Sequence, residues 1–301
     1  MAKTIDILIP AYNEEKNIAN VIEQVSKQTI YSKISNIYVI SDNSTDKTEE
    51  IVKALIKKFP KVKLGIKKKR GGKVDSLNKG FKISKADVLI MLDADIHLDQ
   101  DYSLEELVRP FFVKMEKKVG LTVLKNSPHL RKKNWASIAS LFSIYIRYEI
   151  IKLQSPDKFN SFYSLCGRAT AISKEVYSKA RITNDPGDDQ ELFFQTLKAG
   201  HYAYYVDTAS VSYNVPLTIK DHIRQNIRFK KGVNFKRQNY GDLIDMYTKL
   251  GWKKYLAFFL TAIKHPICAL AWIPVYTAGA IATTRDKKFN TGAWEMCEST
   301  K

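Results

Sequence analysis

Residues 87–99 read DVLIMLDADIHLD: an apolar run, Val88-Leu89-Ile90-Met91-Leu92, stops on Asp93-Ala94-Asp95. A short continuous apolar stretch bounded by polar residues fits a strand buried on both faces, the kind that parallel sheets contain. Carboxylates at the end of such a strand need a partner. Alternate residues of an extended chain point the same way, so Asp93 and Asp95 can face one ligand. Hard oxygen donors of this kind suit Mg²⁺ or Mn²⁺ carrying a diphosphate. A DxD taken alone is short and common, and reads equally as a turn: Asp93 closing one and Asp95 opening the next.

Working outward, residues 5–9 (IDILI), 36–41 (NIYVIS) and 62–66 (VKLGI) also read as buried strands, the first ended by Pro10. Between them lie helical spacings. Residues 14–28 carry Ile18, Val21, Ile22 and Val25; residues 48–59 carry Ile51, Leu55 and Ile56; a third helix covers 73–83. This β-α-β-α-β-α-β order predicts an α/β fold, a mostly parallel sheet flanked by helices. Ligands of such sheets bind beyond the carboxyl ends of the strands, where Ala11-Tyr12-Asn13, Asp42 and Asp93 fall.

Further on, residues 134–153 read as an aromatic-rich amphipathic helix, and 203–206 and 209–213 as late strands. Residues 219–238 (IKDHIRQNIRFKKGVNFKRQ) are strongly basic, with Ile219, Ile223, Ile227 and Val233 at an amphipathic spacing. Residues 255–284 are mostly apolar, interrupted by Lys264, His265, Pro266 and Pro274. The expected organisation is a catalytic domain over 1–216, basic interfacial helices over 217–254, an apolar membrane-associated segment over 255–284 and a polar tail over 285–301. The apolar segment reads as a re-entrant interfacial pair broken at His265-Pro266, with a single transmembrane span as the other option.

The 301 residues hold 49 Lys+Arg against 31 Asp+Glu, a formal charge of +18. That excess fits an anionic membrane surface, a phosphorylated substrate or nucleic acid. Basic residues next to an apolar segment favour the membrane, with the catalytic domain on the cytoplasmic side. Cys166, Cys268 and Cys297 are dispersed and odd in number, which speaks against a zinc site or a disulfide framework. The start, MAKTIDILIP, lacks the apolar core of a signal peptide. No GxGxxG follows the first strand, which speaks against a classical dinucleotide fold, and no GxxxxGK[ST] occurs, which excludes a P-loop.

Taken together, the ordered blocks resemble family 2 glycosyltransferases of the GT-A fold. Pro10-Ala11-Tyr12-Asn13-Glu14 resembles the family's P-A-Y-N-E, and Ser41 to Thr48 its D-D-G-S-x-D-x-T. Gly72-Lys73 with Leu77-Asn78-Lys79-Gly80 resembles G-K-x-x-A-L-N-x-G, and Asp93-Ala94-Asp95 is the DxD. Asp188-Asp189-Gln190-Glu191-Leu192 followed by Gly200 resembles E-D-x-x-L…G, and Gln225 to Phe229 resembles Q-x-x-R-W. Ser41, Asn43 and Phe229 depart from the pattern, and Phe229 weakens a processive reading.

The resemblance implies an inverting, metal-dependent transfer from a nucleotide-sugar, a UDP-sugar favoured, to a lipid-linked or glycan acceptor at a membrane. The related options are a polyprenyl-phosphate glycosyl synthase and a processive polysaccharide synthase. It implies Asp95 as direct ligand of Mn²⁺ or Mg²⁺, with Asp93 on the ribose or a metal-bound water. Asp42 would accept from the base, with Pro10, Ala11, Tyr12 and Glu14 around base and ribose, and Lys73 on the phosphates or base. Asp189, or its neighbour Asp188, would be the general base for the acceptor hydroxyl; the other reading of the pair is a helix N-cap. Gln225 and Arg228 would cover diphosphate and acceptor, and Arg168 belongs to an acceptor-side strand. His97, after the DxD, would be a third metal ligand as in some relatives of the fold, or, the preferred reading, an exposed loop histidine. The ordered acids leave a nucleic-acid-binding protein as the weaker alternative, so no nucleic acid is expected as partner.

Overall fold

The computed structural model describes residues 3–183 and 187–285. Its first half follows the expected alternation: β1 (Ile5–Ala11), α1 (Ile18–Ser26), β2 (Ile34–Ser41), α2 (Thr48–Lys58), β3 (Val62–Ile66), α3 (Gly72–Ile83) and β4 (Val88–Leu92). After it come β5 (Ile96–Leu98), α4 (Ser103–Val108), β6 (Val119–His129), α5 (Trp135–Gln154), β7 (Ala169–Ser173), α6 (Lys174–Tyr177), α7 (Asp188–Lys198) and β8 (Tyr202–Asn214). Three helices close the described chain: α8 (Ile219–Thr248), α9 (Lys253–Lys264) and α10 (Pro266–Arg285).

One sheet runs β3-β2-β1-β4-β7-β6-β8-β5. The β1–β2, β1–β4 and β2–β3 pairs are parallel, as the alternation requires. The second half corrects the expectation of a mostly parallel sheet. Strand β7 is antiparallel to both β4 and β6, β5 is antiparallel to β8, and only β6–β8 is parallel. The sheet is mixed because β7 arrives through a loop and enters against the direction of β4. The two expected late strands are one, β8, whose register against β6 shifts between Leu124 and Lys125.

The all-apolar strands make sense against two cores. Ile7 and Ile9 join the cluster under α1 and α2, while Leu8 between them joins the cluster under α3 and α7. Alternating side chains therefore enter opposite faces, and both are buried. At Gly80 a Cβ would lie 2.1 Å from Leu8 Cδ2, so α3 approaches β1 only because that position is glycine. Helix α1 begins later than its periodicity suggests. The Glu14 carbonyl accepts from Asn17 N and Ile18 N, and Asn17 Nδ2 donates to Glu14 Oε2, so residues 14–17 form a turn.

The packing runs on across residue 216. Tyr240 and Ile244 of α8 lie in the core cluster under α3 and α7. Helix α9 packs on α5, and α10 packs on α5 and α8. Phe142 meets Phe258 edge-on at 5.5 Å and Trp272 at 5.2 Å, and Trp272 Nε1 donates to Ser143 Oγ at 2.8 Å. The break between α9 and α10 falls at His265-Pro266, as the interruption suggested. Among the described residues no helix is long and apolar enough to cross a membrane, which corrects the single-span option. The reason lies in the sequence: Pro266 starts a new helix, and small and polar residues dilute α10. The amphipathic reading of α8 is also corrected in part. Ile223 and Val233 pack inward and Ile219 is exposed; the side chain of Ile227 lies outside the described residues.

Candidate active site

Strand ends β1, β2 and β4 open into a cleft of about 460 Å³ whose lining also includes residues of α3, α5, β8 and α8. Pro10, Ala11, Tyr12, Glu14, Asp42, Lys73, Asp93, Asp95, Asp188, Asp189 and Gln225 all line it. The structure thus brings eleven of the twelve expected site residues to one place; the side chain of the twelfth, Arg228, lies outside the described residues.

On the strand-end side, Asp42 is buried and its carboxylate is heavily used. Lys67, itself buried, pairs with Oδ1; Gly71 N donates to Oδ1 and Gly72 N to Oδ2, both at 2.8 Å. These N–H groups belong to the start of α3, where negative charge is favoured. Gly72 holds φ +84, a left-handed conformation that explains glycine here. Asp42 so fixes the β2-to-α3 geometry, and Oδ2 keeps a lone pair for another donor. Ser41, where the family pattern has an acid, donates to Glu49 Oε1 at 2.7 Å. Arg70 lies 4.0 Å over the Tyr12 ring.

Asp93 and Asp95 emerge from β4 as foreseen. Asp93 N donates to the Arg168 carbonyl at 2.8 Å, continuing the β4–β7 ladder by one residue. Lys73 Nζ sits 2.7 Å from Asp93 Oδ1 and 3.3 Å from Asp188 Oδ2, and donates to the Gly167 carbonyl at 3.1 Å. Lys73 is therefore no solvated surface lysine. Burial alone would lower its pKa, but the charges of Asp188 and Asp93 outweigh that and hold it above the ordinary lysine value. Arg168 packs 3.5 Å over the Tyr213 ring and reaches Cys166 Sγ. His97 is exposed, as the preferred reading expects, but on strand β5 and not in a loop, 3.9 Å from Asp99.

Helix α7 starts at Asp188 after Gly187, which holds φ +88 and offers no side-chain cap. Asp189 Oδ1 accepts from Gln190 N at 2.8 Å. Burial and the neighbouring Asp188 push the Asp189 carboxyl above the usual carboxylate range, although Gln190 N–H and Lys73 pull the other way. A carboxylate desolvated in this manner is a stronger proton acceptor than a free one.

Sequence reading missed three cleft or near-cleft residues. Arg147 on α5 lines the cleft and lowers the Asp189 pKa electrostatically. His222 lines it as well, beside Ser140. Lys236, read as part of a surface charge run, is fully buried and pairs with Glu191 at 2.6 Å; Glu191 Oε2 also accepts from Thr183 N and Oγ1. The spacing of Val233, Lys236 and Tyr240, all on the inward face of α8, was the available signal.

The family model described as Glycosyl transferase family 2 matches residues 6–180. The glycosyltransferase GlyG of Streptococcus pneumoniae is 25% identical over 203 residues, 64% of each chain. The beta-monoglucosyldiacylglycerol synthase of Nostoc sp. is 29% identical over 133 residues, 44% of this chain and 28% of its own. The chain thus spans from about a quarter to under two-thirds of the length of these relatives. Among solved structures, a mannosyltransferase from Pyrobaculum calidifontis, in complex with GDP-Man and Mn²⁺, superposes with a TM-score of 0.61 at 16% identity. The match covers 97% of this chain and 78% of that one, and shows a shared GT-A-type fold. With the model spanning more than half of its residues and the motif carboxylates gathered in one cleft, the chain belongs to glycosyl transferase family 2.

Proposed function

We propose that the protein transfers a sugar, with inversion, from a nucleotide diphosphate donor, preferentially a UDP-sugar, to a membrane-linked acceptor. The observation that carries this reading is the Asp189 carboxyl, raised in pKa and sharing a cleft with Asp93 and Asp95. Among the described residues no group of three or more His, Cys, Asp and Glu side chains forms a closed metal cage. One or two carboxylates at an open cleft are nevertheless what Mg²⁺ or Mn²⁺ uses when diphosphate oxygens and water complete the shell, so the residues fit. Asp95 would hold the ion and Asp93 would support it; when bound, the ion supplies Lewis-acid stabilisation of the departing diphosphate.

This chain's residues do the rest. Tyr12, with Pro10, Ala11 and Glu14, forms the pocket for base and ribose. Lys73 bridges Asp93 to Asp188 and fixes the strand-end carboxylates relative to α7. Asp189 takes the proton of the acceptor hydroxyl as that oxygen attacks the anomeric carbon from the face opposite the leaving group. Gln225, from α8, faces the same space, and Arg228 is assigned to diphosphate and acceptor on the family pattern.

Membrane attachment is supported by two exposed stripes. Trp252, Tyr255, Phe259 and Ile263 lie along one face of α9, and Ile267, Leu270 and Ile281 along one face of α10. Lys253, Lys254 and Lys264 flank them, the pattern of helices lying in an anionic interface. A polyprenyl phosphate, a lipid-linked glycan and a glycolipid all satisfy that placement.

The test is nucleotide release by the full chain from UDP-, GDP- and TDP-sugars, with Mn²⁺, Mg²⁺ or EDTA, and with extracted membrane lipids as acceptor. Metal-dependent release from one donor supports the reading. Release that EDTA leaves intact removes the metal from it, and no release with any donor removes the reading itself.

A further inference from the structure

His222, on the first turn of α8, is 4% exposed and forms part of the cleft wall. Its Nδ1 lies 2.6 Å from Ser140 Oγ on α5. The Ser140 hydroxyl has one proton and donates it to the Ala136 carbonyl at 2.9 Å. With that proton committed, Ser140 accepts from the ring, an assignment from the bonding network that puts the imidazole proton on Nδ1 and leaves a lone pair on Nε2. That Nε2 is buried and has no hydrogen-bond partner among the described residues. Burial lowers the His222 pKa to about 4, so the ring is neutral at physiological pH. A buried acceptor left unmet is unfavourable, and such a group in a cleft wall calls for a ligand that completes it.

The chemistry narrows the ligand. A lone pair repels phosphate and carboxylate oxygens and is met only by an O–H or N–H donor. The same wall carries Ser143, Ile144 and Gln225, hydrogen-bonding and apolar groups that suit the hydroxyls and ring face of a sugar. We infer that His222, oriented by Ser140, is a specificity-determining residue whose Nε2 accepts a hydrogen bond from a sugar hydroxyl bound in the cleft. The inference rests on the glycosyl-transfer reading above and sharpens it: a sugar ring, and not a bare lipid phosphate, lies against the α5–α8 wall. That ring belongs to the donor sugar or to a glycan acceptor.

The experiment is ¹⁵N NMR of the full chain carrying imidazole-labelled histidine, with binding measured in parallel on His222→Phe and His222→Gln. The probes are UDP and GDP, the corresponding nucleotide-sugars, octyl glycosides of glucose, galactose and N-acetylglucosamine, and geranylgeranyl phosphate. The expected result is a shift of the His222 Nε2 resonance with a sugar-bearing probe and none with UDP, GDP or geranylgeranyl phosphate. His222→Phe should weaken that same probe about five- to tenfold. A response to nucleotide-sugars assigns the hydroxyl to the donor; a response to octyl glycosides assigns it to the acceptor. Nucleotide binding with Nε2 unmoved by every sugar-bearing probe, or moved equally by geranylgeranyl phosphate, overturns the inference while leaving the transfer reading intact. Failure of every nucleotide to bind overturns both. The wild-type resonance decides the matter even if neither variant folds.

Discussion

Asp42 and Asp189 line one cleft and are held in contrasting ways. Asp42 receives Lys67 and two backbone N–H groups, all from the short stretch that runs from the end of β3 to the first residue of α3. Asp189 receives one N–H, from its own neighbour Gln190, and sits against Asp188. The first carboxylate is well supplied with donors and keeps one lone pair on Oδ2; the second has a single donor and a raised pKa, which suits the base proposed above. A well-supplied acid should tell in stability and a poorly supplied one in rate.

The largest effect should be on rate. Asp189→Asn is expected to lower transfer by roughly 10²–10⁴-fold while donor affinity, measured by titration with the nucleotide-sugar, holds. Equal loss of both would move Asp189 into Asp42's category. The second effect is on folding. Asp42→Ala strands a buried lysine and frees the start of α3, which should cost about 3–5 kcal/mol in urea denaturation; a change under about 1 kcal/mol would mean that Lys67 finds its balance in Asp75 alone. Lys236→Met strands Glu191 in the same manner and belongs to the same range, with Lys236→Met/Glu191→Gln recovering part of the loss. Gly72→Ala should cost about 1–3 kcal/mol, from its left-handed backbone.

The smallest effect is the pH dependence that Asp189 brings. The folded state holds the Asp189 proton to higher pH than the unfolded chain does. Stability from this group therefore falls as pH rises from the ordinary carboxylate range through the raised value, and Asp189→Asn should be slightly more stable than the parent at neutral pH. Transfer should rise over the same interval, as the base ionises. A rate profile whose acid limb lies at the ordinary carboxylate pKa would break the contrast.

The same contrast explains what the sequence made legible. The Asp42 side is local: each strand, helix and carboxylate lies within a few dozen residues, and the apolar runs of β1, β2 and β4 are continuous because both faces are covered. The other side is made by distant pairings. That β7 enters antiparallel between β4 and β6 leaves no trace in the periodicity of ATAIS. Lys236 shows why composition misleads: it lies in a run of seven basic residues and yet points inward to a buried glutamate. His222 was silent because a lone histidine acquires meaning only from the serine across the helix packing. Asp42 itself was placed correctly, while the donors that occupy it, Gly71 N, Gly72 N and Lys67, are fixed by backbone geometry that residue names do not carry.

The insertion of β7 also sets a timetable for synthesis. The chain emerges from the ribosome in order, so β1 to β4 can pair as soon as β4 has followed α3 out. Strand β4, wholly apolar, then presents an open edge until β5, β6 and α5 have been made and β7 arrives to cover it. An unpaired, greasy edge is a template for the wrong neighbour. Chains halted before residue 169 should collect in inclusion bodies, and slowing translation there should lower the yield of soluble protein more than slowing it after residue 173.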